Sequence, residues 1–143
     1  MVENLLLGTI VIAATVVIHA VGLIEVTRWS SALTDILRVD HRRNRIVAMV
    51  ATVLGTFVVL AVEIWLWALV HFAIGSFGDI ETALYFSIVS FSTLGYGDVI
   101  PPERWRVFAA LEGINGFLLI GWSTAYLIAA GMRIGPFRSG EHF

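Results

Sequence analysis

The sequence predicts an all-α integral membrane protein: three transmembrane helices, one short re-entrant helix and one extended segment rich in glycine. Three observations carry this. Apolar runs at 5–26, 46–74 and 105–132 are each long enough to cross a hydrocarbon core, which takes roughly 20 residues. An amphipathic stretch at 79–91 lies between the second and third runs and is too short to cross. Between it and the last run, Ser92-Thr93-Leu94-Gly95-Tyr96-Gly97-Asp98 is too polar and too glycine-rich to be helix. Composition agrees, with 58% hydrophobic and 14% charged residues and a mean hydropathy of +0.87, the profile of a membrane-embedded unit.

The first run, Leu5 to Val26, is broken only by Thr9, Thr15, His19 and Glu25, and the residues before it include Glu3 rather than the positive charge of a signal peptide. Residues 27–45 change character. Trp29, Leu33, Ile36 and Leu37 recur at helical spacing with polar residues between them, which predicts a short amphipathic helix on the membrane surface. The second run, 46–74, is about 43 Å long as a helix, enough to span with some tilt. The turn Gly75-Ser76-Phe77-Gly78 follows, and Asp79 is a good N-cap for a helix over 79–91 with Glu81 in its first turn. In hydrocarbon so short a helix must be re-entrant and packed inside protein. Pro101 and Pro102 end the extended segment, and the last run returns across the membrane.

All nine basic residues are arginine. Placing Arg28, Arg38, Arg42, Arg43, Arg45, Arg133 and Arg138 in the cytoplasm and Arg104 and Arg106 outside puts the N-terminus and the 92–98 segment outside, in a multi-pass cell-membrane protein. Glu3, Asp79, Glu81, Asp98 and Glu103 then make the outer side attractive to cations. Cysteine is absent, which excludes a disulfide framework and thiolate metal sites. A net charge of -2 offers no basic surface for nucleic acid. No nucleophile–base constellation or phosphate loop is present, so the sequence does not read as an enzyme, and it implies no organic cofactor.

Glycine at 95 and 97 lets the backbone reach positive φ without a Cβ clash. An extended chain can then turn successive carbonyls to one side, and a ring of such columns replaces the water shell of a cation. At these residues the sequence resembles the potassium-channel pore family, whose filter is Thr-x-Gly-Tyr-Gly followed by an acid, the filter type used to illustrate carbonyl coordination in general accounts of ion selectivity. The resemblance implies a pore module at 46–133, with outer helix 46–74, pore helix 79–91, filter 92–98 and inner helix 105–132. Residues 1–45 are then an additional transmembrane helix with a cytoplasmic linker, and 134–143 a short cytoplasmic tail.

The resemblance further implies potassium sites made by the carbonyls of Thr93, Leu94, Gly95 and Tyr96 with the Thr93 hydroxyl, and Gly97 completing the filter. Tyr85, Ser92 and Asp98 would support the filter and its outer mouth. Potassium is then the permeant ion, and lipid and three further copies of the chain are its partners, in a homotetrameric ring. Val89 stands where many simple bacterial channels of this family carry a pore-helix glutamate paired to the acid. Two other functions are compatible: a nonselective cation channel, and a non-conducting membrane sensor or subunit on the same scaffold.

Polar residues inside the spans are functional-site candidates because they are costly there. Glu63 and Asn115 fall at similar depth, roughly 14 to 17 Å from the outer ends of their helices, and Glu112 shares a face with Asn115. The expectation is a cluster of Glu63, Glu112 and Asn115 in which Glu63 bonds the inner helix near Asn115, as a tie or as a proton-sensitive element. His19 and His71 read as packed residues, since their spacing is not that of metal ligands. Gly113, Gly116, Gly121 and Gly131 suit a hinge in the last helix or close packing there.

Overall fold

The structure is a computed structural model that describes residues 1–36 and 42–134. It contains four α-helices: α1 (Val2–Ile36), α2 (Arg42–Ala73), α3 (Ile80–Phe91) and α4 (Arg106–Ile134), with a single 3-10 turn over Glu103–Trp105. Helices α1, α2 and α4 are each long and apolar enough to cross a membrane, and α3 is a shorter apolar helix. No strand occurs among the described residues. α1 packs on both α2 and α4, and α3 is wedged against α2 and α4.

The bundle is apolar outside and polar inside, which is the arrangement lipid requires. Leu6, Ile10, Phe57 and Phe117 are exposed, while Thr15, His19, Glu63, His71, Glu112 and Asn115 are fully buried. In water such a distribution would be unstable; in hydrocarbon the polar groups find partners only between helices. An apolar core of Val11, Trp67, Phe91, Trp105, Phe108 and Leu119 accompanies them.

Two boundaries differ from the sequence reading. No separate surface helix begins at residue 27, because α1 runs unbroken to Ile36. Two of its polar residues there are used between helices: Thr27 Oγ1 donates to the Leu23 carbonyl at 2.8 Å and meets the Tyr126 hydroxyl at 2.9 Å, and Ser30 meets Thr52 at 2.7 Å. The remainder of the expected linker, 37–41, and the tail at 135–143 lie outside the described residues. α2 starts at Arg42, four residues before the apolar run, since nothing in Arg42 to Arg45 opposes helix.

α2 ends in a Schellman motif. Gly75 takes φ 71°, the Ser76 N–H reaches the His71 carbonyl at 2.9 Å and the Gly75 N–H reaches the Phe72 carbonyl at 3.1 Å. The turn delivers Asp79, extended at φ -144°, whose carboxylate accepts from the Thr82 N–H at 2.7 Å and the Thr82 hydroxyl at 2.8 Å. Those bonds cap α3 and hold the Asp79 carboxyl below the usual carboxylate range. α3 buries Ala83, Phe86, Ser87, Val89 and Phe91 and stops where Gly116 of α4 lies directly under the Phe91 carbonyl.

Candidate ion filter and its supports

Beyond α3 the backbone alternates. Thr93, Gly95 and Gly97 have φ of 61°, 58° and 76°, whereas Leu94 and Tyr96 between them do not take positive φ. Glycine reaches this region freely, but a β-branched residue there is an outlier, so Thr93 is held in a strained conformation by its surroundings. The hold comes from the end of α3: the Thr93 N–H donates to the Ser90 carbonyl at 3.0 Å and the Gly95 N–H to the Val89 carbonyl at 3.2 Å. Ser92 ends the helix locally, its hydroxyl donating to the Ile88 carbonyl at 2.6 Å.

The far end of the segment returns to the same helix. The Tyr85 hydroxyl donates to Asp98 Oδ2 at 2.6 Å, and Asp98 Oδ1 accepts from the Val99 N–H at 3.1 Å. The Tyr85 bond, foremost, keeps the Asp98 carboxyl below its ordinary range. Val89 stands one helical turn after Tyr85 on α3, and it is the Tyr85 phenol that bonds the acid. One short helix therefore ties the segment at both ends. Thr93 to Asp98 are all exposed on the single chain, Tyr96 at 67%.

The polar residues within the spans are brought together differently from the sequence expectation. Glu63 does not bond the inner helix near Asn115; its Oε1 is 2.9 Å from Nδ1 of His19 on α1. Asn115 Nδ2 donates to Thr15 Oγ1 at 2.9 Å, again on α1. Glu112 Oε2 lies 3.0 Å from Nε2 of His71 on α2. For Glu63 and Asn115 the physical reason is that α1 packs on both α2 and α4, so each side chain finds its partner on α1, while Glu112 and His71 still join α4 to α2 directly. His19 and His71 are packed, as expected, but as partners of the two carboxylates.

α1 also holds the outer end of α4. The Asn4 side-chain oxygen accepts from the Phe108 N–H at 3.0 Å, one of the first-turn donors that has no partner within its own helix. Arg104 makes two 3.0 Å bonds to Glu3, and Arg106 lies 3.6 Å from Glu103. Two of the five acids expected to attract cations are thus paired with arginine. The residues missed from the sequence, Asn4, Thr15 and His19, stand on one stripe of α1 with Gly8, Gly22 and Ser30 at helical spacing. Gly8 meets Leu111 and a Cβ on Gly22 would lie 2.7 Å from Val59, so the small and polar members of that stripe were the available signal.

Compared with known proteins, residues 57–133 match a family model described as ion channel. The chain belongs to this ion-channel family. The match spans about half of α2, all of α3, the glycine-alternating segment and α4 up to Arg133, and it leaves α1 outside. The chain is also 27% identical over 106 residues to a protein of Rhodopseudomonas palustris provisionally named a potassium channel protein, covering 73% of this chain and 26% of that relative. The chain thus spans about a quarter of that relative's length. No solved structure matches the chain.

Proposed function

We propose that this channel is potassium-selective and that four copies of the chain set residues 93–97 around a common axis to form its filter. The observation that carries the reading is the alternation of φ at Thr93, Gly95 and Gly97 in a segment bound to α3 at both ends. Alternating hand lets successive carbonyls face one side, and four such columns supply the stacked oxygen cages that a dehydrated potassium ion needs. One column leaves the ion uncovered, and an exposed irregular backbone is tolerated at membrane depth only where it lines water or is buried by protein. A closed ring meets both demands.

In this reading the carbonyls of Thr93, Leu94, Gly95 and Tyr96 and the Thr93 hydroxyl bind potassium, and Tyr85, Ser92 and Asp98 hold the filter to α3. The arginine distribution sets the filter mouth and N-terminus outside and the 27–45 segment and C-terminus in the cytoplasm. The similarity to a relative named for potassium and the order Thr-Leu-Gly-Tyr-Gly-Asp favour potassium over sodium.

Purified protein in vesicles with a potassium gradient tests it. Reversal potentials should follow potassium and ignore sodium, with barium blocking, and the detergent-extracted mass should be four chains. Reversal potentials between the two ions would mean a nonselective pore, and a folded protein without flux a non-conducting subunit. A conducting monomer or dimer would overturn the ring.

A further inference from the structure

Where the polar stretch of α1 passes the last turns of α4, the two helices enclose a slot of about 280 Å³. Its walls are Thr27, Ser30 and Ser31 of α1 and Tyr126, Ala129, Ala130 and Arg133 of α4. The slot sits at the edge of the hydrocarbon layer. The apolar run of α1 ends at Val26, Trp29, next in the chain to Ser30, is 76% exposed in the manner of an interfacial aromatic, and Arg133 stands in the last turn of α4. Arg28, Arg104 and Arg106 each have an acid beside them, and among the described residues Arg133 has none. The slot therefore carries a positive charge that no described acid meets.

The wall hydroxyls decide what else fits. Thr27 donates to the Leu23 carbonyl at 2.8 Å and Thr52 of α2 to the Ala48 carbonyl at 2.9 Å. Each hydroxyl has one hydrogen, so Tyr126 is the donor in its 2.9 Å contact with Thr27, and Ser30 the donor in its 2.7 Å contact with Thr52. Ser31 also interacts within the protein. Ser30 and Tyr126 thus offer a ligand lone pairs and no hydrogen. Acceptors beside a guanidinium suit a ligand that is anionic at one end and donates hydrogen bonds at the other. Phosphatidic acid carries the charge but no headgroup hydroxyl, a choline headgroup has no donor, and an ethanolamine headgroup brings a second cation against Arg133. A glycerophosphate diester meets both demands: its phosphate takes the forked N–H groups of arginine, and its free glycerol hydroxyls donate to the wall. The volume is near the lower end of the roughly 300–1,000 Å³ of small-molecule sites, room for a headgroup whose acyl chains remain in the bilayer.

We propose that the slot between α1 and α4 binds the glycerophosphate headgroup of an anionic phospholipid, with Arg133 on the phosphate and Ser30 and Tyr126 on the glycerol hydroxyls, and that the lipid ties the first helix to the end of the inner helix. That the cytoplasmic leaflet supplies the lipid rests on the topology proposed above, whereas the slot depends neither on that orientation nor on conduction. Mass spectrometry of the intact protein, released from a neutral detergent after addition of phosphatidylglycerol, phosphatidic acid or phosphatidylcholine, tests it. Wild type should retain phosphatidylglycerol most, then phosphatidic acid, then phosphatidylcholine. Arg133→Gln should weaken phosphatidylglycerol binding about tenfold or more, as the loss of a hydrogen bond to a charged group does. Arg28→Gln, at the same end of the bundle but outside the slot, should weaken it about fivefold at most, the effect of one arginine acting through the surface potential. Ser30→Ala and Tyr126→Phe should each narrow the preference for phosphatidylglycerol over phosphatidic acid while the fold survives, because Thr52 and Thr27 keep their carbonyl acceptors. Excess glycerol 3-phosphate should leave the lipid bound.

Equal retention of the three lipids, or equal weakening by Arg28→Gln and Arg133→Gln, overturns the site, since either result means diffuse attraction to the surface. A preference for phosphatidylglycerol that survives both Ser30→Ala and Tyr126→Phe overturns the assignment of the glycerol to this wall. Displacement by glycerol 3-phosphate overturns the lipid as the source of the headgroup. None of these outcomes bears on potassium selectivity, which the flux measurement above decides on its own.

Discussion

Gly116→Ala places a methyl group where the structure has least room for one. A Cβ there would overlap the Phe91 carbonyl oxygen and lie 2.7 Å from its carbon and 2.8 Å from Cα, all rigid backbone at the end of α3. Clearing the carbonyl carbon alone requires opening the α3–α4 approach by about 0.7 Å and clearing the oxygen requires more, an overpacking that costs at least about 1–3 kcal/mol. The gain in helix propensity from glycine to alanine, about 1 kcal/mol, offsets part of it. Gly121→Ala is the internal control, because nothing lies within 4 Å of its Cβ and only the propensity gain applies. Thermal unfolding in detergent and potassium flux, measured on both variants, should show Gly116→Ala less stable and poorly conducting. The displaced Phe91 precedes Ser92 and Thr93, so the lower attachment of the proposed filter moves with it. Gly121→Ala should be at least as stable as wild type. If Gly116→Ala is as stable and as active as wild type, close packing at this glycine is not what the helix needs; if Gly121→Ala alone stops the current, the hinge reading of the inner helix replaces it.

Asn4→Ala removes the acceptor of the Phe108 N–H and should destabilise the protein by about 1 kcal/mol, seen as a lower unfolding temperature with selectivity unchanged. Tyr85→Phe deletes the bond to Asp98 and should make potassium current decline during sustained recording while the fold survives; a steady current would show that Asp98 needs no anchor. Gly95→Ala meets no atom within 4 Å on the single chain, so its penalty is conformational, roughly 1–2 kcal/mol for positive φ at a residue with a Cβ. It should abolish flux without preventing assembly, as mass measurement and flux together would establish.

What could be read from the sequence was what neighbouring residues decide. Asp79, with Thr82 three positions on, caps α3 by its own local chemistry, and the glycines at 95 and 97 announce their conformation because other residues pay dearly for it. Three long apolar runs gave the spans for the same reason. The sequence was misleading where a polar residue had a choice of partner. Thr27 and Ser30 resemble the start of a surface helix, yet α1 continues because Tyr126 and Thr52 are within reach across the helix interfaces. Glu63 and Asn115 match in depth, but depth leaves the rotation of each helix undetermined, and it is rotation that turns them toward His19 and Thr15 on α1. Lipid sharpens this dependence. A buried carboxylate has no water to fall back on and must bond whichever donor the packing presents. In α1 the donor could have been sought on the stripe of Asn4, Gly8, Thr15, His19, Gly22 and Ser30, whose spacing predicts a helix face turned inward. A first helix packed passively at the periphery would have little reason to carry that stripe. Its polar ties to α2 and α4 make it part of the frame that holds the inner helix.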